Sequence, residues 1–599
     1  MRIQEYLAGG KPLLFDGAMG TYYAARPGRA GIPCERANLS APEEIAAIHR
    51  AYLEAGARAI RTNTFDVGGD WGTAEAVLRA GSAAARAAAE PFGAWVFADL
   101  GPAPREGPLS PGAVYRRQAE VFLAQGLTHF IVETLPTDEG VPELARYLKD
   151  RCLQAFLLVS FAADPGGFTR EGLSARVLLE RTAALDGVDG VGLNCVSGPR
   201  HLLEFVRGLD LSALSGKPLS VMPNAGYPTV LGRRAVYQGG PDYFAGQLAD
   251  IARSGAALVG GCCGTTPAHI AQAARALEGL SARSPALPAQ PRARAEPQPG
   301  RNRLRDKLAA GKRVIAVELD PPADDSVDAF MEGVRALRDA GADAVTVADC
   351  PVGRPRADSS LLACKLRREA GVEPLPHLTC RDRNLNATKA LLLGLSMEGV
   401  HNVLLVTGDP IPTQDRDEVK SVFNFNSRKL IRYVSGLTGH GLSIPFQIFG
   451  ALNVNAPNFE KQLELALEKE EAGAAGFLTQ PVHSLRALEH LALARHRLKG
   501  KLLGGVFPIV SHRNALFLNN EVAGVSVPEE VVRRYEGLDR EEAEELALEL
   551  SVRTAWDMAP YTDGWYLMTP FRRTALIARI MGRLREKGGG TFDKKSNNM

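Results

Sequence analysis

Several things are scarce in this chain, and each scarcity excludes a class. No apolar run approaches membrane-spanning length, and the start, Met1-Arg-Ile-Gln-Glu-Tyr-Leu-Ala-Gly-Gly10, has no signal-peptide core. An enzyme of the cytoplasm, with no membrane partner, is therefore the expected class. Charge imbalance is also missing: a formal net charge of +2 gives no reason to expect nucleic acid or an anionic surface as partner. Eight cysteines in 599 residues are too few for a disulfide scaffold, and a reducing compartment would leave them free as ligands. No Gly-x-Gly-x-x-Gly fingerprint and no P-loop occur, so a Rossmann domain for a dinucleotide is not expected.

What is present suits two globular domains. A chain of 599 residues exceeds what one core supports, and a 45% hydrophobic, 23% charged composition is that of a packed protein. The stretch 284–302 is proline-rich, poor in large apolar residues and without period, so it reads as an extended linker between domains at 1–283 and 303–587. The end, 588–599, reads as a disordered tail.

In the first half, short apolar runs recur at residues 12–15, 58–62, 95–98, 129–132, 155–159, 190–193, 219–222 and 257–260. Helical patterns lie between them, one starting at Ser40, which reads as its N-cap. Strands alternating with helices at this spacing indicate a (β/α)8 TIM barrel, whose site lies at the carboxyl ends of the strands. Cys262 and Cys263, in Gly260-Gly-Cys-Cys-Gly264, follow the last run, and Cys195 ends Gly192-Leu-Asn-Cys195. Thr265, Thr266 and Pro267 supply capping and first-turn residues for the next helix. If both runs belong to one barrel, three thiolates converge, a donor set for Zn2+ with a fourth position open. Free cysteine more commonly ends as a small buried apolar residue, and for Cys195 alone that reading leads. The glycines around Cys262 and Cys263 favour a ligand site, because they let backbone approach closely.

With Phe15-Asp-Gly-Ala-Met-Gly-Thr21, Thr62-Asn-Thr-Phe65 and Glu133-Thr-Leu-Pro136 added to these two motifs, the first half resembles the zinc-dependent homocysteine S-methyltransferase family. The resemblance implies that Cys195, Cys262 and Cys263 hold zinc and that homocysteine binds there as its thiolate. Asp16 and Glu133 would accept the substrate's ammonium, Gly17 would leave space for the amino acid, and Asn194 would bond it. Isolated carboxylates are more often solvated or salt-bridged, and Asn194 could simply satisfy backbone at a strand end. Asn224-Ala-Gly-Tyr227 either lines the pocket or makes a plain turn.

The second half repeats the alternation, with strand-like runs at 314–319, 344–347, 375–379, 403–406, 446–449, 475–479, 503–507 and 565–568. A second TIM barrel is expected, with a longer excursion from Val510 to Ser551. Its polar residues again fall at strand ends: Glu318, Thr346, His377, Asp409 and Gln480. Through Val317-Glu-Leu-Asp-Pro-Pro322, Pro376-His-Leu-Thr-Cys380, Val406-Thr-Gly-Asp-Pro410, Glu471-Ala-Gly-Ala474 and Leu478-Thr-Gln-Pro481, this half resembles the short bacterial methylenetetrahydrofolate reductases. The resemblance implies FAD, reduced by NAD(P)H, passing hydride to 5,10-methylenetetrahydrofolate. Glu318 would be the general acid, an apolar strand end raising its pKa. Asp409 would lie between flavin and pterin, Gln480 would bond folate, and Thr346, His377, Asn453, Asn455 and Lys469 would hold FAD. Thr407 stands where the family often has Arg, which puts one flavin contact in doubt.

Together the halves suggest successive steps of methionine synthesis on one chain, acting on small molecules: homocysteine, methylenetetrahydrofolate and a methyl donor. The donor stays open among methyl-tetrahydrofolate, S-methylmethionine, S-adenosylmethionine and a corrinoid protein. The nicotinamide, channelling and the oligomeric state, a homo-oligomer included, are equally open. A reading from another class makes the first barrel a non-catalytic sensor of homocysteine or methionine.

Overall fold

The computed structural model describes residues 2–67, 70–104, 107–231, 234–280, 302–411, 420–438, 442–521 and 525–588. Apart from Asn302 and Gly588, the expected linker and tail lie outside the described residues. Two compact units divide the chain, Met1–Ala293 and Arg294–Met599.

The first unit contains β1 (Leu13–Leu14), β2 (Ala59–Arg61), β3 (Trp95–Leu100), β4 (His129–Leu135), β5 (Phe156–Phe161), β6 (Gly190–Asn194), β7 (Leu219–Met222), β8 (Pro228–Leu231), β9 (Arg234–Tyr237) and β10 (Ala256–Val259). Eight of them form a parallel sheet in the order β1-β10-β7-β6-β5-β4-β3-β2. A bridge between Phe15 and Ala59 joins its outermost strands, so the sheet is a nearly closed barrel. All eight expected runs are strands. The antiparallel hairpin β8–β9 was not anticipated, and it lies outside the barrel sheet.

Side chains alternate across a strand, and the barrel interior selects one set. Leu13, Phe15, Ala59, Phe97, Ile131, Phe156, Leu158, Met222 and Leu258 form one buried cluster with Ile3 of the first helix. Counting two residues on from Ala59, Phe97, Ile131 and Leu158 reaches Arg61, Asp99, Glu133 and Ser160, all buried. The interior thus changes from apolar to polar in one step toward the carboxyl ends.

The second unit is a closed barrel of β11 (Val314–Glu318), β12 (Ala344–Val347), β13 (Glu373–Thr379), β14 (Asn402–Val406), β15 (Gln447–Leu452), β16 (Gly476–Pro481), β17 (Lys501–Val506) and β18 (Gly564–Met568). Its interior cluster includes Ala316, Ala344, Leu375, Leu404, Phe449, Leu478, Leu503 and Tyr566. Two residues on from Ala316, Ala344, Leu375 and Leu478 lie Glu318, Thr346, His377 and Gln480. Both units are TIM barrels with a polar layer above an apolar one.

Two local expectations are corrected. Ser40 is not the N-cap of the helix Pro42–Glu54: it ends a preceding turn of helix, and Ala41 precedes a proline at the first helical position. The helix Pro267–Leu277 does start as read, with Thr266 as N-cap and His269 completing a capping box. The Val510–Ser551 excursion contains the helices His512–Glu521 and Glu529–Arg533 and most of Arg540–Met558.

Candidate active sites at the two barrel mouths

In the first barrel, Cys195 follows β6 and Cys262 and Cys263 follow β10, with β7 between those strands. The three Sγ atoms lie within 4.8 Å of one another, Cys195 and Cys263 at 3.6 Å. Cys195 and Val196 both adopt left-handed backbone, φ 58° each, as does Thr134 at φ 61° on the facing strand end. Such conformations cost of order 1–3 kcal/mol apiece and mark backbone held for a purpose. Hydrogen bonding to Cys195 pushes the Cys262 thiol well above its ordinary value; burial adds to this and the bond to Cys263 opposes it. Three such thiols are poor nucleophiles alone and a good donor set for a divalent soft-to-borderline cation, which would take their protons. The residues fit zinc on that chemistry.

Beneath the sulfurs sits a residue that the sequence reading missed. Arg61, buried at the end of β2, donates Nε to Asp16 Oδ1 at 2.9 Å and Nη1 to Glu133 Oε2 at 2.9 Å. Nη2 donates to the carbonyls of Gly17 and Gly261 at 3.0 and 2.9 Å. Asp16 Oδ2 accepts the Arg61 backbone N–H at 3.0 Å. Burial raises the Asp16 pKa, against the pull of Arg61. One guanidinium holds both Asp16 and Glu133, the salt-bridged arrangement that isolated carboxylates more often take. A charged residue ending the short run Ala59-Ile60-Arg61 was the available signal.

Asn194 ties this ion pair to the sulfurs. Its Nδ2 lies 3.0 Å from Glu133 Oε2 and 4.0 Å from Cys262 Sγ, while its Oδ1 accepts from Ser160 at 2.8 Å and from Thr134 N at 2.9 Å. Gly17, expected to leave space for the amino acid, has protein on the side where a side chain would stand. A Cβ there would stand 2.5 Å from Thr265 Oγ1 and 2.9 Å from Tyr52, so packing rather than substrate fills that side. At Gly261 a Cβ would meet the same hydroxyl at 2.4 Å. Thr265 needs the room: its Oγ1 donates to Cys262 O at 2.8 Å and accepts from Ala18 N at 3.0 Å. Asn224 is buried near the sulfurs, and its neighbour Ala225 N donates to Cys263 O at 2.9 Å.

At the second mouth, Glu318 and Thr346 are register partners on β11 and β12. Burial, with the nearby Asp320 charge, pushes the Glu318 carboxyl up to about 7. Tyr566, from β18 and also missed, donates its hydroxyl to Glu318 Oε2 and opposes that rise. His377 Nε2 stands 3.7 Å from the same oxygen, is buried without a hydrogen-bond partner, and burial lowers its pKa to about 4. Lys469 Nζ donates to Ala451 O at 2.8 Å, its pKa lowered by burial to about 8. Asn455 Nδ2 donates to Pro481 O at 2.9 Å, and Asn453 Oδ1 accepts from Asn455 N at 2.9 Å. Gln480 is half-buried among them, while Thr407 and Asp409 are exposed at the end of β14, beside 412–419, which lie outside the described residues. Thr407 Oγ1 accepts from Ser427 N at 3.3 Å, and Arg381 Nη1 donates to Asp409 O at 2.8 Å. A neutral imidazole with an orphaned buried nitrogen, facing a protonatable carboxyl, fits a bound heteroaromatic cofactor such as a flavin.

Comparisons with known proteins follow the same division. Residues 13–277 match the family model for homocysteine S-methyltransferase, and residues 303–581 match that for methylenetetrahydrofolate reductase. Methionine synthase of Mycobacterium tuberculosis is 34% identical over 295 residues, 44% of this chain and 24% of that protein. Methionine synthase of Mycobacterium leprae is 34% identical over 263 residues, 40% of this chain and 22% of that protein. The matches thus span about a quarter of the length of those relatives. Among solved structures, the metallated form of the homocysteine methyltransferase MmuM from Escherichia coli aligns at 24% identity and TM-score 0.38, over 46% of this chain and 99% of that one. Its apo form aligns at 26% identity and TM-score 0.36, over 45% and 97%. The chain carries a homocysteine S-methyltransferase domain followed by a methylenetetrahydrofolate reductase domain.

Proposed function

We propose that this protein is a bifunctional enzyme of methionine synthesis: its first barrel methylates homocysteine, and its second reduces 5,10-methylenetetrahydrofolate to the 5-methyl compound. The observation that carries the reading is the sulfur cluster of Cys195, Cys262 and Cys263 at the first mouth. Cys195, Cys262 and Cys263 would hold zinc, which would supply a Lewis-acid site that keeps the substrate sulfur ionised at neutral pH. Around it the chain's own residues orient the substrate. Arg61 fixes Asp16 and Glu133 and shares its charge between them, and Asn194 links Glu133 to the sulfur of Cys262. The substrate sulfur then displaces the leaving group of the methyl donor in line.

In the second barrel, Thr346, His377, Thr407, Asp409, Asn453, Asn455 and Lys469 would hold FAD. Bound there, FAD would supply the hydride chemistry between NAD(P)H and the folate. Glu318 delivers the proton that opens the folate's imidazolidine ring, and a pKa of about 7 leaves it protonated often enough to do so near neutrality. Tyr566 aims that carboxyl, and Gln480 bonds the pterin.

The test is cofactor content together with label transfer. Purified full-length protein should contain one zinc and one FAD per chain, and Cys262→Ser should lose the zinc while keeping the flavin. Supplying homocysteine with isotopically labelled methyl-tetrahydrofolate, S-methylmethionine or S-adenosylmethionine identifies the donor by which label enters methionine. Zinc-loaded protein that transfers no label from any of them, or from a methylated corrinoid protein, would leave the transferase reading without support.

A further inference from the structure

We propose that Arg381 is a positioning residue of the second barrel: it fixes the peptide of Asp409 and thereby holds that carboxylate at a set distance from the flavin. This rests on the reductase reading, which puts Asp409 beside FAD, and adds a residue to which the resemblance gives no role.

Among the described residues, Arg381 is the bulkiest side chain that is fully buried. A buried guanidinium is costly unless its donors are paired, and here each pairing has a direction. Nε donates to Asp382 Oδ1 and Oδ2 at 2.9 and 3.0 Å, and Nη2 donates to Oδ2 at 2.6 Å. The Arg381 side chain is 2% exposed and that of Asp382 35%, so the cation lies inside and its counter-charge at the rim. Nη1 crosses from the loop after β13 to the loop after β14 and donates to Asp409 O at 2.8 Å. Arg383, two residues on, behaves differently. It donates Nη1 to Asp349 and Nη2 to Asp358, at 2.7 and 2.8 Å, and so ties loops together through carboxylates alone.

Asp409 is exposed, yet its backbone has little freedom. Gly408 before it has φ 95°, and a Cβ there would stand 2.9 Å from Thr379 Cβ and 3.4 Å from Arg381 Cβ. Pro410 after it confines Asp409 to extended backbone. Cys380 N donates to the carbonyls of Val406 and Thr407, each at 3.2 Å, and Val422 N donates to Arg381 O at 2.8 Å. The segment at Arg381 therefore grips the end of β14 and also the chain at residue 422. An aspartate in an exposed loop ordinarily drifts with its backbone. With the peptide held by a glycine turn, a proline and a buried cation, only the two side-chain torsions of Asp409 remain to be set. Support of this kind is what a carboxylate needs to keep a fixed place beside a bound group.

That place has a readout of its own. A negative charge beside a flavin opposes the addition of electrons, and the effect weakens as the charge moves away. The midpoint potential of the flavin thus reports how closely Asp409 is held.

Dye-equilibrated reductive titration of the FAD-loaded full chain measures it. Asp409→Asn removes the charge and should raise the potential. Replacing the ion pair by Arg381→Met with Asp382→Asn leaves the net charge unchanged and should raise the potential by a smaller amount, because the carboxylate stays but loses its anchor. Added to Asp409→Asn, the same replacement should change nothing further, since no charge remains to be misplaced. Arg381→Lys keeps the cation and loses the planar fork, and it carries the same comparison if the paired replacement does not retain flavin. A potential that fails to rise, or a rise that persists in the Asp409→Asn background, would overturn the assignment, as would loss of FAD from both variants. Wild type and Asp409→Asn at one and the same potential would instead sink the reading on which it stands, that Asp409 lies beside the flavin.

Discussion

Replacing Arg61 by Met keeps most of the side-chain volume and removes the charge that Asp16 and Glu133 share. The pair is buried, with the Arg61 side chain 8% exposed and the carboxylates 4% and 7%, so solvent screening is slight. Breaking a buried ion pair by removing one partner costs about 3–5 kcal/mol, because the remaining charges stay uncompensated. The carbonyls of Gly17 and Gly261 lose donors as well, at about 1–3 kcal/mol each where water cannot reach them. Protonation of Asp16 limits the total, so about 4 kcal/mol is expected, a fall of roughly 10 °C for a barrel of this size. The sign of its pH dependence follows from Asp16, whose folded pKa is already raised. Without Arg61 it rises further, so the folded variant binds more protons than the unfolded chain. Stability of the variant therefore increases as pH falls, and the gap to wild type narrows as the pH drops toward the ordinary carboxylate range. Differential scanning calorimetry of the full chain reads this, flavin fluorescence identifying the transition of the second barrel, which should not move. A penalty under about 1 kcal/mol, or one independent of pH, would refute the view of Arg61 as the residue that permits two buried carboxylates.

Other perturbations give separable readouts. Glu318→Gln removes the proton donor and should lower folate reduction by about 10²- to 10⁴-fold while leaving flavin reduction by the nicotinamide intact, as stopped-flow absorbance would show. In wild type the folate half-reaction should fall as pH rises through about 7, because the acid form of Glu318 is lost there. Tyr566→Phe removes a bond that lowers the Glu318 pKa, so that limb should move to higher pH; an unmoved limb would mean that the hydroxyl does not tune the acid. Gly261→Ala drives a Cβ to 2.4 Å from Thr265 Oγ1 and should destabilise the first barrel by about 1–3 kcal/mol, measured by the same calorimetry.

The sixteen barrel strands were legible because each is a short apolar run between helical patterns, a signal that survives without knowledge of partners. The hairpin β8–β9 was not, since Pro228-Thr-Val-Leu and Arg234-Ala-Val-Tyr mix polarities and lie outside the barrel sheet. The cysteines were visible through their glycine setting, although those glycines turn out to make room for protein: Gly261 for Thr265 and Gly264, at φ 82°, against Tyr237. Arg61 and Asp99 were hidden for one shared reason. A charged residue at a strand end reads as the start of a solvated loop. Only the inward parity of Ala59 and Phe97, which needs the barrel register, reveals that both point into the interior. Tyr566 was hidden oppositely, inside an apolar run where its hydroxyl carried no signal.

The left-handed pair Cys195 and Val196 separates stability from function in a way that one substitution can expose. Valine is branched at Cβ and poorly suited to φ 58°, and its side chain is 45% exposed, so packing does not repay the strain. Glycine would relieve of order 1 kcal/mol there, an amount that its greater freedom in the unfolded chain largely offsets. Val196→Gly should therefore leave the melting of the first barrel nearly unchanged. The turn itself would loosen, leaving the sulfur to be fixed by hydrogen bonds such as Ser197 N to Cys195 O at 2.6 Å and Cys195 N to Met222 O at 3.1 Å. Competition with a chromogenic chelator should show zinc leaving the variant several-fold more readily than wild type. Unaltered zinc retention would mean that the strained backbone is incidental to the cluster, and that Cys262 and Cys263 with their Thr265 clamp suffice to define it.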